Sequence, residues 1–412
     1  MNSHPFHVQQ HKHCRTRPWS FITVALALLL AVPGPWIARA GTGERVIGDA
    51  GVSMLRGNAA RTGEHLGPGP ASSPELVWLA HLGDLILSSP VVADGVVYIG
   101  SVSPTIPAGG ALHALDLQTG EERWRTDLDR GDGILATPVV VDGVVYAATY
   151  DGVVLALDAA TGDEAWRVDL AEPVYYAAPA VDEGTLYVVD ISGRLTALDA
   201  EAGGRQWEFA VGDGYTWGLG TPAVAEGHVY IVATEARRTM KSRLVALDAD
   251  TGEERWRFVA EEVGEVRGTP AVADGRVYIP TTLGAVYALA VDDGSEHWRF
   301  DTDREISATS VAVTGGEVIV GTDDGGVQAV DARTGDVTRV FPDLVQGGHL
   351  TSPTVADGDV YAVDARGVLH AIDLDAAEEQ WTVDTGSIGS SPAIIDGVIV
   401  IGDAFGFLAA YG

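Results

Sequence analysis

The sequence holds a single cysteine, Cys14, in 412 residues. One thiol cannot form an internal disulfide, so a cross-linked scaffold is excluded, as is a zinc or iron–sulfur site built on cysteines. Lysine is almost missing, with only Lys12 and Lys241. Positive charge is scarce altogether: Lys plus Arg number 26 against 58 acidic residues, a formal net charge of −32. Phosphate backbones are held by clustered Lys and Arg, so no nucleic acid partner is expected. Beyond the first forty residues asparagine occurs once, as Asn58. No segment carries sustained helical periodicity. The histidines are scattered without metal-ligand spacing, and no Gly-x-Ser-x-Gly elbow is present. Asp127-x-Asp129-x-x-Asp132-Gly133 departs from the EF-hand calcium spacing and places no bidentate Glu. No catalytic residue and no metal ligand is therefore assigned. What remains is 46% hydrophobic, too apolar for a disordered chain.

Residues 1–20 carry Lys12, Arg15 and Arg17 and no acid, and residues 21–32 form an apolar run, FITVALALLLAV. Pro33-Gly34-Pro35 breaks any helix, and Ala38-Arg39-Ala40 supplies a small-x-small pattern. This order reads as a Sec-type signal peptide spanning 1–40, cut after Ala40. The other reading is an uncleaved anchor, although twelve apolar residues are short for a span of about 20. No Arg-Arg pair precedes the run, which disfavours twin-arginine export. Cys14 precedes the apolar run, where a lipoprotein signal needs its cysteine after it. The expected product is extracytoplasmic, periplasmic or secreted, without an anchor in the membrane. Loss of residues 1–40 would take the charge from −32 to −36, a self-repelling surface that suits a soluble monomer.

The length alone suggests two or three domains, but one phrase recurs along the chain. A small residue and Pro open it; two apolar runs follow, joined by Asp-Gly or an equivalent; Ala-Leu-Asp, Thr-Gly and Trp close it. The prolines are Pro90, Pro138, Pro179, Pro222, Pro270, Pro353 and Pro392, with Ser310 in the missing place. The tryptophans are Trp78, Trp124, Trp166, Trp207, Trp256, Trp298 and Trp381, with Arg339 in the missing place. A period of about 42 residues with four strand signals suits a propeller blade. The last copy stops at Gly412 without its Trp strand, and PELVWLAHL, residues 74–82, supplies that strand from the other end. The expected fold is all-β: an eight-bladed β-propeller of four-stranded antiparallel blades over 74–412. The ring is closed by the N-terminal strand completing the last blade.

Ala114-Asp116-Thr119-Gly120-Trp124 resembles the tryptophan-docking motif of the pyrroloquinoline-quinone (PQQ) repeat family, and so do Ala156-Asp158-Thr161-Gly162-Trp166 and Ala246-Asp248-Thr251-Gly252-Trp256. Weaker copies end at Trp207, Trp298 and Trp381. The resemblance implies that all seven docking tryptophans pack between blades. Residues 53–63, SMLRGNAARTG, resemble the lead-in found before many such propellers, giving a lead-in over 41–73. The family includes quinoprotein dehydrogenases, which carry PQQ and calcium at the propeller centre with Glu, Asn and Asp near the metal. This sequence keeps neither their adjacent cysteines nor an Asn in the repeats. It looks closer to the non-catalytic BamB-like branch, from which it departs by lacking the lipoprotein cysteine. The expectation is an exported binding or scaffold propeller with no cofactor, engaging a protein or small ligand. The alternative is a PQQ-dependent oxidoreductase using PQQ and calcium.

Connections between blades share one face with the loops between second and third strands, and loops on rigid scaffolds carry function. The candidates there are Tyr175, Tyr176, Tyr215, Trp217, Arg267 and His349. Trp217 is the one tryptophan beyond the leader outside the docking position. These side chains either anchor a partner or plug the channel. A second candidate is the expanded loop of the fourth blade, with Arg237, Arg238, Lys241 and Arg243 on an otherwise acidic chain. It is either a docking point for an acidic partner or a solvated loop.

Overall fold

Asp142-Gly143 joins two Val-rich runs, and a two-residue turn with both residues at positive φ matches the twist of the strands it links. In the computed structural model Asp142 has φ 49° and Gly143 φ 75°, and equivalent pairs turn the first hairpin of every repeat. The structure describes residues 54–412 except 66, 104–108, 130–131, 212–219, 235–241, 261–264, 267, 307–309, 342–347, 349–350 and 387–389, together with the backbone of 36–39.

Eight antiparallel sheets follow one another as blades of a propeller. Blades 1 to 7 span Val91–Asp127, Val139–Asp169, Ala180–Ala210, Ala223–Ala260, Ala271–Asp301, Ala312–Phe341 and Thr354–Asp384. In blade 8 the strands Ala393–Ile395, Val398–Gly402 and Phe407–Tyr411 are completed by Leu76–His81. Trp78 pairs with Ala410 there, so the first and last repeats share one sheet and the ring closes as expected. One element was not foreseen. Trp36–Arg39 pairs antiparallel with Leu76–His81, Arg39 opposite Trp78, and adds a fifth strand to the edge of blade 8. It falls within the segment read as a leader, the rest of which lies outside the described residues.

The third strand of each blade is buried over its central residues, and the fourth is largely exposed, with half-buried positions alternating along it, as in Val153–Asp158 and Glu164–Asp169. Ala stands opposite Trp in this pairing, as Ala156 opposite Trp166, and its small side chain leaves room for the indole. Six indoles reach the next blade: Trp78, Trp124, Trp166, Trp207, Trp256 and Trp298 donate Nε1–H to Leu117, Ala159, Ala200, Ala249, Val291 and Ala332 carbonyls at 2.6 to 3.1 Å. The Thr-Gly glycine lies beneath the same ring. A Cβ on Gly162 would sit 2.7 Å from Trp124. Trp381 is buried, but its Nε1 has no acceptor among the described residues. Where Trp gives way to Arg339, the link becomes ionic: the guanidinium reaches Glu317 of its own blade and Asp375 of the next.

Candidate functional site

Two regions could carry function: the centre of the ring and its loop face. The lead-in occupies the centre. Its carbonyls at Ala59, Ala60, Thr62 and Gly63 accept from Val224, Val272, Val313 and Val355 amides at 2.7 to 2.9 Å. These amides belong to the first strands of blades 4 to 7, whose inner edges would otherwise be unpaired. His65 Nδ1 accepts from Ile394 N of blade 8 at 3.1 Å.

Arg61 donates to Leu55, Pro179 and Pro222 carbonyls at 2.7, 2.6 and 3.1 Å. Arg56 donates to Arg61, Pro353 and Val311 carbonyls. Among the described residues no carboxylate pairs with either guanidinium, and burial lowers both to about 9. Burial also lowers His65 to about 3, so its ring is neutral.

The fold family implies PQQ and calcium at this centre, and the described residues do not fit them. Two guanidinia repel a cation. Asn58 is committed to Thr62, donating to Oγ1 at 2.8 Å and accepting from its amide at 3.2 Å. Among the described residues no three acidic or histidine side chains converge on one point.

The loop face is built differently. Segments entering a blade bond to that blade's second loop: Tyr150 N to Gly133 O at 2.7 Å, and Ile191 N to Pro173 O at 2.8 Å. Across the boundary between blades 2 and 3, Tyr150 stacks on Tyr175, with ring centroids 4.8 Å apart and planes 9° apart. Tyr150 is 40% exposed and Tyr176 45%. Of the two aromatics singled out at this entrance, Tyr176 is exposed and Tyr175 half-buried. Tyr150 was missed; the only signal for it was a lone aromatic in the turn Thr149-Tyr150-Asp151-Gly152. Tyr215, Trp217, Arg267, His349, Arg237, Arg238 and Lys241 lie outside the described residues. Arg243 stands at the base of the blade 4 loop, opposite Ala233. That base is pinned by Thr234 Oγ1 against Ser242 Oγ at 2.8 Å, with Val266 N donating to Ser242 Oγ at 2.7 Å.

Beside the tyrosines, Asp132 is pushed up to about 7 by burial and by its hydrogen bond to Asp151. Burial opposes the charge on Asp151, but hydrogen bonds from Asp132 and Thr149 outweigh it and hold that carboxyl low.

A third constellation was also missed by sequence reasoning. Ser101 Oγ lies 3.0 Å from His113 Nε2, and His113 Nδ1 lies 2.8 Å from Glu122 Oε1. The connectivity is that of a nucleophile, a base and an orienting acid. Ser101 is fully buried, however, and its Oγ accepts from Ala111 N at 3.1 Å, so no substrate reaches it in this arrangement. His370 repeats the His–Glu half in blade 7, 2.6 Å from Glu379.

Comparison with known proteins places this geometry in a family. A family model described as outer membrane protein assembly factor BamB matches residues 71–175, 152–241 and 193–411. The outer membrane protein assembly factor BamB of Yersinia pestis is 28% identical over 143 residues, 31% of this chain. The match spans about a third of that relative's length, 36%. The crystal structure of BamB from Moraxella catarrhalis superposes with a TM-score of 0.62 at 22% identity, covering 81% of this chain and 97% of that one. The quinohemoprotein alcohol dehydrogenase of Comamonas testosteroni superposes with a TM-score of 0.70 at 15% identity, covering 88% and 80%. At such identities the structural likenesses speak for the fold alone. The family match covers most of the chain, and with the eight closed blades it identifies the protein as a member of the BamB family of PQQ-like β-propellers.

Proposed function

We propose that this chain is an extracytoplasmic, non-catalytic scaffold that binds a partner protein through its loop face. One observation carries the reading. Seven large apolar side chains are exposed among the described residues, and five of them, Leu87, Tyr150, Tyr176, Leu283 and Phe405, lie on inter-blade segments or second loops. The other two, Val337 and Val340, lie on the fourth strand of blade 6. Exposed apolar groups gathered on one face are the usual mark of an interaction surface. A relative named as an outer membrane protein assembly factor supports a protein partner at such a site. No helix among the described residues is long and apolar enough to cross a membrane. The basic leader, if cut after Ala40, delivers an acidic monomeric ring.

The test is affinity capture from an extracytoplasmic fraction with three proteins: the wild type, Leu283→Asp with Phe405→Asp on the face, and Val337→Asp on the outer strand. One partner captured by the wild type and by Val337→Asp, but lost with the face variant, is the expected result. Equal capture by all three overturns the reading. Titration with PQQ and calcium, followed by dye-linked alcohol oxidation, tests the enzymatic alternative; saturable binding with turnover would replace the scaffold reading.

A further inference from the structure

We propose that the corner of the loop face between blades 2 and 3 binds an arginine-bearing segment of the partner, seated on the Tyr150–Tyr175 pair. The inference rests on the loop face being the binding face, and it names the chemistry that face selects. Two near-parallel phenol rings, with Tyr176 exposed beside them, offer faces to a planar cation. Guanidinium is the side chain that both stacks on such rings and is attracted by their quadrupole.

The charge around the pair agrees. Residues 132–211 hold 14 acidic residues and three arginines. Each of those arginines is already held by a glutamate: Arg167 by Glu164, and Arg194 and Arg205 by Glu208. Asp151 and Glu172 are exposed on the segments that carry the tyrosines. A cation from outside therefore meets an excess of acid over base.

An internal comparison points the same way. In blade 7 the loop carboxylate Asp364 is buried. Its Oδ1 accepts from Arg366 and Val368 amides at 2.8 and 2.9 Å, and its Oδ2 accepts from Arg366 Nε at 3.1 Å. In blade 3 the equivalent carboxylate is Asp190, 1% exposed. Its Oδ1 accepts from Ser192 and Arg194 amides at 2.9 and 3.1 Å and from Ser192 Oγ at 2.6 Å, and its Oδ2 has no partner among the described residues. Ser192 stands where blade 7 has Arg366. A buried carboxylate oxygen without a donor is costly, and its sister blade answers it with a guanidinium. The loop bearing Asp190 is bonded to Pro173, two residues before Tyr175. Stacked rings and an unanswered carboxylate thus ask for the same cation in one corner.

The experiment uses the full chain and a fluorescein-labelled Gly-Ser peptide with spaced arginines, read by anisotropy, with lysine and glutamate versions alongside. The arginine peptide should bind saturably, the lysine peptide more weakly and the glutamate peptide not at all. Tyr150→Ala with Tyr175→Ala should weaken binding about tenfold, while Tyr175→Phe, which keeps the ring face, should hold it. Ser192→Arg supplies the missing guanidinium from within and should also weaken the peptide. Val337→Ala on the outer strand of blade 6 should change nothing. Circular dichroism establishes that each variant is folded, and Tyr175→Phe serves where the alanine variant is not. Equal affinity for all three peptides, or no change in the tyrosine double variant, overturns the proposal. Two failures are distinguishable. Capture of the protein partner lost with the face variant Leu283→Asp, Phe405→Asp but kept by the tyrosine double variant sinks this corner and spares the loop face. Capture unaffected by either sinks both.

Discussion

The lead-in and the blade 2–3 corner treat polar groups in opposite ways. In the centre of the ring, Arg56 and Arg61 are fully buried, and every side-chain nitrogen donates to a backbone carbonyl. At the corner, the Tyr150 and Tyr176 rings are exposed and Asp190 Oδ2 has no donor among the described residues. A satisfied interior gives a ligand nothing to improve. An exposed surface with an unanswered acceptor does. The difference makes the centre a structural hub and the face the region to test for recognition, and it can be broken or sharpened in four ways.

The largest effect is expected at the seam of the ring. Trp78 is fully buried and bonds Leu117 at 2.8 Å, joining the closing strand to blade 1. Trp78→Ala should cost ~3–5 kcal/mol of stability in denaturant unfolding. Peptide binding at the corner should survive wherever the variant is still folded. Next comes the hub itself. Arg61→Ala removes three charged donors and leaves the Leu55, Pro179 and Pro222 carbonyls unanswered, for a loss of about 3 kcal/mol. If it also abolishes peptide binding, centre and face are coupled and the comparison fails.

The wall of the ring was legible because its physics is local and repeated. Asp-Gly sets each hairpin, Ala makes room for Trp, and Thr-Gly passes beneath it, so spacing alone counts the blades. Arg339 was visible as a break in the pattern, though its ion pair with Asp375 was not. The lead-in was recognisable only as a likeness. Its bonds join Arg61 to residues 118 and 161 positions away, and nothing periodic in SMLRGNAARTG encodes them. Tyr150 and Asp190 escaped for a related reason. Each is a single residue in a turn, and it matters only because an entry segment distant in sequence lies against that turn.

A third test follows from His65, also in the lead-in. Its neutral ring accepts from Ile394 N, and burial sets its folded value at about 3 against an ordinary value near 6.5. Between these the unfolded chain binds a proton that the folded chain refuses. Stability attributable to His65 should therefore fall as pH drops below about 6.5, by ~1.4 kcal/mol per unit, until about pH 3. His65→Gln should flatten that part of the slope. Unfolding measured from pH 7 to pH 4.5 in both proteins checks it; parallel curves would mean that the ring is charged in the fold.

The smallest expected change in stability sharpens the comparison most. Tyr150 is held by one stacked ring and a 3.4 Å contact between its hydroxyl and that of Tyr175. The residue is 40% exposed and lies in a surface turn, so Tyr150→Ser should shift stability by no more than ~0.5 kcal/mol, the usual range for a surface site. A side chain that contributes so little to the fold while presenting an aromatic face to solvent is explained by binding, not by packing. Thermal unfolding of Tyr150→Ser beside Trp78→Ala places both on one scale. A loss at Tyr150 approaching that at Trp78 would mean that the corner is part of the wall.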